Sequence, residues 1–399
     1  MYILQETLFS FEKLWELDPR NRLPVFFSAL DLRPYTAELK REAPQGARGH
    51  CREAILRSFL ASPLEGISTF TRLHNRLATD LRFKWQCGFG LDENIPSIST
   101  LSRAFKSLVE KGIVEKLFYD LVKECQKEGI INGEHVAIDS CAILAYEKKT
   151  THSKWDGINA TWGIKSDTFG KKMRWFGYKI HLSTDTASDL PMAIIVTPAN
   201  RNDGDVGPAM IEKTVAITEK QLKYAMLDAG YDQVKNYEAV HNQGAQAIIP
   251  LNLRGEKEPP TGFASNGTPK CSMGFEMTYW GVDKNALKFR CPHATGKVDC
   301  PMGTTWCSSS NYGMVKKVHV DEDLRRFCSP HRDTKRWKEL YNERSSVERC
   351  NAQFKTHLTA NRAHVSGIDK VTTHVYLNAI VLLVSALAVV RADTNKQAA

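Results

Sequence analysis

Nowhere do the 399 residues offer an unbroken apolar run of the length a membrane-spanning helix needs, about 20 residues. The longest candidate, Val375 to Val390, is interrupted by Asn378 and Ser385. It is expected to be a buried core helix, and no membrane association is expected. No secretory signal is expected either: Met1 to Glu6 has no basic n-region, and Glu6, Glu12 and Glu16 break any apolar stretch. The ten cysteines are scattered rather than framed, which argues against a disulfide scaffold and for reduced thiols in a cytoplasmic protein. Charge of one sign is not abundant either. A formal net charge of +9 suits a polyanionic partner such as nucleic acid without requiring one. There are no internal repeats. What is present is ordinary for a globular chain: 42% hydrophobic and 25% charged residues provide a sizeable core, and the length allows two or three domains.

The first 132 residues read as a helical domain. Ile55, Leu56, Phe59 and Leu60 share one helical face, and Ile67, Phe70, Leu73, Leu77 and Leu81 recur at helical spacing. After the loop "GFGLDENIPSIS", a further helix starts at the cap candidates Ser99 and Thr100. Its apolar face is Leu101, Phe105 and Leu108, with Arg103 and Lys106 off that face. Short helices ending in one with a basic free side fit a helix-turn-helix DNA reader. A plain helical domain fits the same pattern.

Composition changes near Gly133. "EHVAIDS", "FGYKIHLSTD" and "LPMAIIVTP" read as three strands, followed by a helix in "NDGDVGPAMIEKTV" capped by Asp203 or Asp205. "KYAMLDAG" is a buried strand ending at Asp228, "DQVKNYEAVHNQG" a helix closed by Gly244, and "AQAIIP" a fifth strand. Hairpin-joined strands followed by crossover helices imply an α/β fold with a mixed sheet. Residues 251–334 are rich in Gly, Pro, Ser and Cys and read as an inserted, β-rich or irregular subdomain. Helix resumes over 335–399.

Three acidic positions stand out. Asp139 lies in an otherwise apolar strand, and Asp228 follows the run Tyr224-Ala225-Met226-Leu227. Buried carboxylates are costly unless paired, hydrogen-bonded or bound to a cation; each also fits a strand-end residue that caps a turn. In "YNERSSVERCNAQFK", a wheel places Tyr341, Arg344, Glu348 and Lys355 within one polar wedge, beside an apolar stripe of Leu340, Val347, Phe354 and Leu358. Glu343 and Arg349 fall outside the wedge and read as solvated. Two strand-borne Asp and one helix-borne Glu suit hard cations, since Mg²⁺ takes oxygen ligands and shares them with substrate phosphate.

These motifs together resemble the RNase H-like catalytic domain of DDE transposases. Tyr341, Arg344, Glu348 and Lys355 match the Y-x2-R-x3-E-x6-K signature of bacterial insertion-sequence transposases of the IS four group. "AIDSCAI" and "MLDAGYD" resemble the two Asp motifs of that family, and "FGYKIHLSTD" and "TPANRNDGD" its intervening segments. The resemblance covers Gly133 to the C-terminus, with a weaker match in the N-terminal helices. It implies an RNase H-like mixed sheet flanked by helices, divided into parts 133–250 and 335–399 by the insertion. It implies that Asp139, Asp228 and Glu348 bind two Mg²⁺ ions, with Mn²⁺ able to substitute. Tyr341, Arg344 and Lys355 would grip phosphates. The implied activity is cleavage at the transposon ends and strand transfer into target DNA, by a homodimer on double-stranded DNA in a bacterial nucleoid. A nuclease that cuts without joining, and a DNA-binding protein with inert acids, are the alternatives.

Several residues keep two readings. Lys179 and His181 suit DNA contact or an exposed strand face, and Asp203 and Asp205 suit the site or a helix cap, the cap being favoured. Between the first two strands, Lys148, Lys149, Lys154, Lys165, Lys171, Lys172 and Arg174 interleave with Trp155, Trp162, Phe169 and Trp175. Cations suit phosphates and aromatics suit bases; a loop that tucks its aromatics inward is the alternative. In the insertion, Cys271, Cys291, Cys300, Cys307 and Cys328 lack the close pairs of a structural zinc site. Buried thiols are favoured over zinc there. Trp280 or Trp306 is a candidate to hold a flipped base, as an insertion aromatic does in related transposases.

Overall fold

The computed structural model describes residues 22–39, 49–148, 159–166, 171–253 and 258–398. The N-terminal part is helical: α1 (Arg22–Ser28), α2 (Arg33–Ala37), α3 (Arg52–Leu64), α4 (Phe70–Thr79), α5 (Leu81–Gln86), α6 (Ile98–Glu110) and α7 (Ile113–Lys127). The predicted face of α3 is buried, as are Leu73 and Leu77 of α4. The expected run from Ile67 to Leu81 is divided, however. Asp80 accepts from the Phe83 amide and starts α5, which leaves Leu81 half exposed. The α6 cap is Ser97, whose hydroxyl accepts from the Thr100 amide; Ser99 and Thr100 sit inside the first turn. Leu101, Phe105 and Leu108 are buried as predicted.

The sheet then forms from β1 (His135–Leu144), β2 (Thr161–Ser166), β3 (Lys172–Asp185), β4 (Pro191–Pro198), β5 (Tyr224–Leu227) and β6 (Gln246–Ile248). Helix α8 (Asp203–Val215) precedes β5, and α9 (Val234–His241) precedes β6. Strand order is β2-β3-β1-β5-β6, with β4 also on β3. The β1/β3, β2/β3 and β3/β4 pairs are antiparallel, whereas β1/β5 and β5/β6, joined by crossovers, are parallel. The sheet is therefore mixed, as expected, but has one strand more: β2 arises within the segment read as a loop. Gly177 of β3 makes the crossing of β1 feasible. A Cβ there would lie 2.1 Å from the Ile143 carbonyl oxygen, so no larger residue fits without moving backbone.

The insertion holds its own antiparallel sheet, β7 (Thr278–Asp283), β8 (Ala286–Arg290) and β9 (Val315–His319), around Met277, Leu287, Phe289, Val318 and Phe327. Its Cys291 and Cys328 are buried, while Cys271, Cys300 and Cys307 are partly so. The chain closes with α10 (Lys335–Asn342), α11 (Ser345–Thr356) and α12 (Ile368–Ala398). Helix α12 is long and apolar enough to cross a membrane, yet it packs against α3, α7 and β4. Val371, Val375, Ile380, Leu383, Val384 and Leu387 are all buried. One buried cluster thus runs from Leu23 through the sheet to Ala388.

Candidate active site

Two parallel neighbours set the site. In the β1/β5 ladder Ile138 pairs with Leu227, so the next residues, Asp139 and Asp228, leave the ladder side by side. Asp139 continues into the β1/β3 pairing opposite Leu182. Asp228 instead caps a short 3₁₀ turn, accepting from the Gly230 amide at 2.8 Å. The turn-capping reading of Asp228 therefore holds together with its place beside Asp139.

The Asp139 side chain is 15% exposed and accepts from the Ser140 amide at 2.7 Å. Burial, then the neighbouring Asp228 charge, push its carboxyl up to about 6. The Ser140 amide, Lys165 and Arg344 act in the opposite direction. Lys165 lies on β2, in the segment whose strand was not foreseen. Its effect on Asp139 depends on how the β2/β3 hairpin returns over the sheet end, which residue spacing does not reveal.

The helix carrying the third acid is not continuous. Residues Glu343 and Arg344 form a turn between α10 and α11, where the amides of 343, 344, 346 and 347 bond three residues back. The single wheel drawn across Tyr341 to Lys355 is therefore replaced by two helices with a tightened joint. The apolar stripe survives it, with Leu340, Val347 and Phe354 fully buried. Tyr341 stacks on Trp337 at 5.1 Å, and the Arg344 guanidinium lies 5.6 Å from the Tyr341 ring centre. Arg344 Nη2 donates to Glu348 Oε1 at 2.5 Å, while Nη1 stands 3.9 Å from Asp139 Oδ2. Arg344 thus links two of the three acids.

Glu348 itself is 54% exposed and turned to Arg344. Among the described residues, no three or more His, Cys, Asp or Glu are grouped to hold a metal ion. The structure brings Asp139 and Asp228 together and leaves Glu348 one guanidinium away. Two adjacent carboxylates, one desolvated, form a donor set suited to a hard divalent cation.

Lys355 is exposed on α11, and its charge, like that of Lys165, is felt by the buried Cys141. Lys179 is 14% exposed and donates to Asp203 at 2.8 Å and to the Arg201 carbonyl at 2.8 Å. It is a tether within the fold rather than an exposed strand residue. His181 is fully buried; its Nε2 lies 2.9 Å from Thr197 Oγ1, and burial depresses its pKa to about 4. It does not reach a surface. Asn202, not Asp203 or Asp205, caps α8 by accepting from the Gly204 amide. Asp205 instead pairs with Lys235. Arg103 and Lys106 lie exposed on α6; Arg103 donates to the Ser99 carbonyl and Lys106 sits 3.5 Å from Glu110.

Two residues read as solvated are anchors. Glu343 accepts from Thr186 at 3.1 Å and meets His135 Nδ1 at 2.8 Å. Arg349 makes a forked pair with Asp189 at 2.6 and 2.7 Å. They fasten the α10–α11 joint to the sheet end. Tyr231 was also missed. Its phenol is buried, with Asp203, Asp139 and Asp228 close enough to raise its pKa further after burial. Of the basic and aromatic run between β1 and β3, Lys149, Lys154, Trp155 and Phe169 lie outside the described residues.

Residues 132–384 match the Transposase DDE domain family, and residues 12–107 match a Transposase domain (DUF772). The chain belongs to the Transposase DDE domain family. It is an insertion-sequence DDE transposase, an enzyme of DNA transposition and recombination, in a family that works with divalent metal ions. A search of curated proteins returned no match. Among solved structures, a piggyBac transposase synaptic complex with hairpin DNA, determined by cryo-EM, is 12% identical. That alignment covers 95% of this chain and 76% of the other, with a TM-score of 0.46.

Proposed function

We propose that this transposase binds the ends of its own insertion sequence, cleaves one strand there, and joins the freed 3′-hydroxyl to target DNA. The supporting observation is the in-register placement of Asp139 beside Asp228, with Arg344 joining Asp139 to Glu348. In this reading Asp139, Asp228 and Glu348 hold two Mg²⁺ ions, or Mn²⁺ in their place. Such ions, when bound, activate the attacking oxygen and stabilise the leaving one. The side chains do the remaining work. Arg344 presents a planar fork able to hold a phosphate, and Lys355 a point charge. Tyr341, stacked on Trp337, limits where that guanidinium moves.

Residues 1–132 are assigned as the helical DNA-binding domain, with Arg103 and Lys106 as exposed backbone contacts. Residues 133–250 and 335–399 form the two parts of the core, and 251–334 the insertion. Lys179, held by Asp203 and lining the open cavity beside the Asp228 turn, is kept as a DNA contact. Bringing two ends together for joining requires at least a homodimer on double-stranded DNA, in the bacterial nucleoid.

The test uses purified protein, Mg²⁺ and DNA carrying the element's end. Glu348→Gln is expected to keep end binding and lose cleavage by at least about 100-fold. Cleavage at the wild-type rate by that variant would remove Glu348 from the site.

A further inference from the structure

Asp189, in the turn between β3 and β4, has its backbone in the left-handed region at φ +60°. Among the described residues only Lys284 shares that feature without being glycine. Asp tolerates this conformation better than most residues, yet it persists only where its surroundings hold it. Here the turn is held from within. Asp185, itself buried, accepts from the Gly133 amide, the Ser188 amide and the Ser188 hydroxyl at 2.8, 2.9 and 2.7 Å. The Asp185 carbonyl accepts from the Asp189 amide at 3.0 Å.

Two side chains of this turn reach the α10–α11 region, one at each end of the same short stretch. Thr186 donates to Glu343, which directly precedes Arg344. Asp189 takes the fork of Arg349, which directly follows Glu348. The remaining nitrogen of that guanidinium, Nη1, donates to the Ser345 hydroxyl at 2.7 Å, beside Arg344. Residues 344–348 are thus bracketed by one turn. The turn is also tied to β1, the strand of Asp139, because the Thr186 amide donates to the His135 carbonyl at 3.1 Å. Stability does not account for the arrangement. Arg349 is 53% and Asp189 26% exposed, and a pair so open to solvent adds little to folding. What a fork with a third tie fixes is direction.

We infer that Asp189 is a positioning residue: through Arg349 it sets the first turn of α11, and so where the Glu348 carboxylate stands relative to Asp139 and Asp228. This inference rests on the role proposed above for Glu348. The first turn of α11 carries Glu348 next to Arg349, so a shift of one moves the other. A misplacement of about 1 Å at a reacting centre can cost on the order of 100-fold in rate.

The test uses two conservative variants of the full chain. Asp189→Asn keeps the size and the tolerance for left-handed backbone but removes the charge; Arg349→Lys keeps the charge but removes the fork. Each is expected to lower kcat for end cleavage about tenfold with KM for end DNA unchanged. Each should also raise the Mn²⁺ concentration that gives half-maximal cleavage. The double variant is expected to be no slower than either single one, since both break the same contact. Urea midpoints stay at the wild-type value, while amide hydrogen exchange over residues 343–352 quickens. Wild-type kcat in Asp189→Asn would overturn the inference, as would wild-type exchange over that stretch. A loss of rate matched by a lower urea midpoint would overturn it too, leaving a contact that only supports the fold. Glu348→Gln cleaving at the wild-type rate would remove the site reading instead. Exchange in Asp189→Asn reports on the bracket whichever way that cleavage result falls.

Discussion

Arg344, at the joint before α11, and Glu348, in the first turn of α11, form a 2.5 Å ion pair, and the same guanidinium points its other nitrogen toward Asp139. An acid on a helix and an acid on a strand are thus coupled through a residue at the joint between two helices. That coupling gives Arg344 two tasks, to place the Glu348 carboxylate and to carry charge at the sheet end.

Replacing Arg344 separates those tasks from stability. Arg344→Ala is expected to lower end cleavage on the order of 100-fold, and Arg344→Lys to recover only part, because an ammonium lacks the fork. Glu348 is half exposed, so the lost pair costs less than about 1 kcal/mol. Cleavage rates and urea midpoints measured on the same preparations check this; a large loss of stability with little change in rate would contradict it.

Asp228 is expected to dominate ion binding together with Asp139. Millimolar Mn²⁺ should raise the melting temperature of the wild-type protein, since binding to the folded state alone stabilises it. Asp228→Asn should lose most of that rise while folding normally in its absence. Thermal shifts that remain identical in the two proteins would move the ion elsewhere.

Acid stability follows from buried groups of opposite behaviour. Burial depresses His374, which contacts the Thr359 carbonyl, and His181 to about 4, below their unfolded value. Their stabilisation is present above about pH 6.5 and is lost as pH falls toward 4, on the order of 2 kcal/mol each. Asp139 runs the other way. Its folded value of about 6 exceeds the unfolded one, so its proton favours the fold at low pH and ionisation costs stability as pH rises through that range. Asp139→Asn should therefore be more stable than wild type near pH 7, by on the order of 2 kcal/mol, and lose stability more steeply on acidification. Urea unfolding at about pH 7 and about pH 5 measures both slopes.

Gly177→Ala tests the strand crossing. The added methyl would meet the Ile143 carbonyl oxygen and the Ala145 amide nitrogen, both backbone atoms. A cost of at least about 2 kcal/mol is expected, with β1 displaced from β3. Denaturant unfolding checks the cost; a neutral effect would mean the two strands separate more easily than their pairing implies.

The placements legible in the sequence are those whose signal is local. An Asp inside an apolar run, a helix stripe of Leu340, Val347 and Phe354, and the apolar face of α6 all follow from periods of two or 3.6 residues. The strand in Thr161–Ser166 was not legible, because it is only six residues long, holds Gly163 and offers just Trp162 and Ile164 as apolar positions. Nor was the α10–α11 joint, since a tightened turn of two residues leaves the polar pattern almost unchanged.

By itself, the sequence determined which residues carry charge in apolar surroundings and the order of most strands and helices. The tertiary structure alone decided which of them meet. Glu343 reaches His135 across 208 residues of chain, and Arg349 reaches Asp189 across 160. Asp139 stands beside Asp228 only through the parallel β1/β5 register, and Trp162 faces a cavity while Trp175 is buried. The physical reason is range. Backbone periodicity orients a side chain relative to its own element, whereas its partner is chosen by packing between elements distant in the chain.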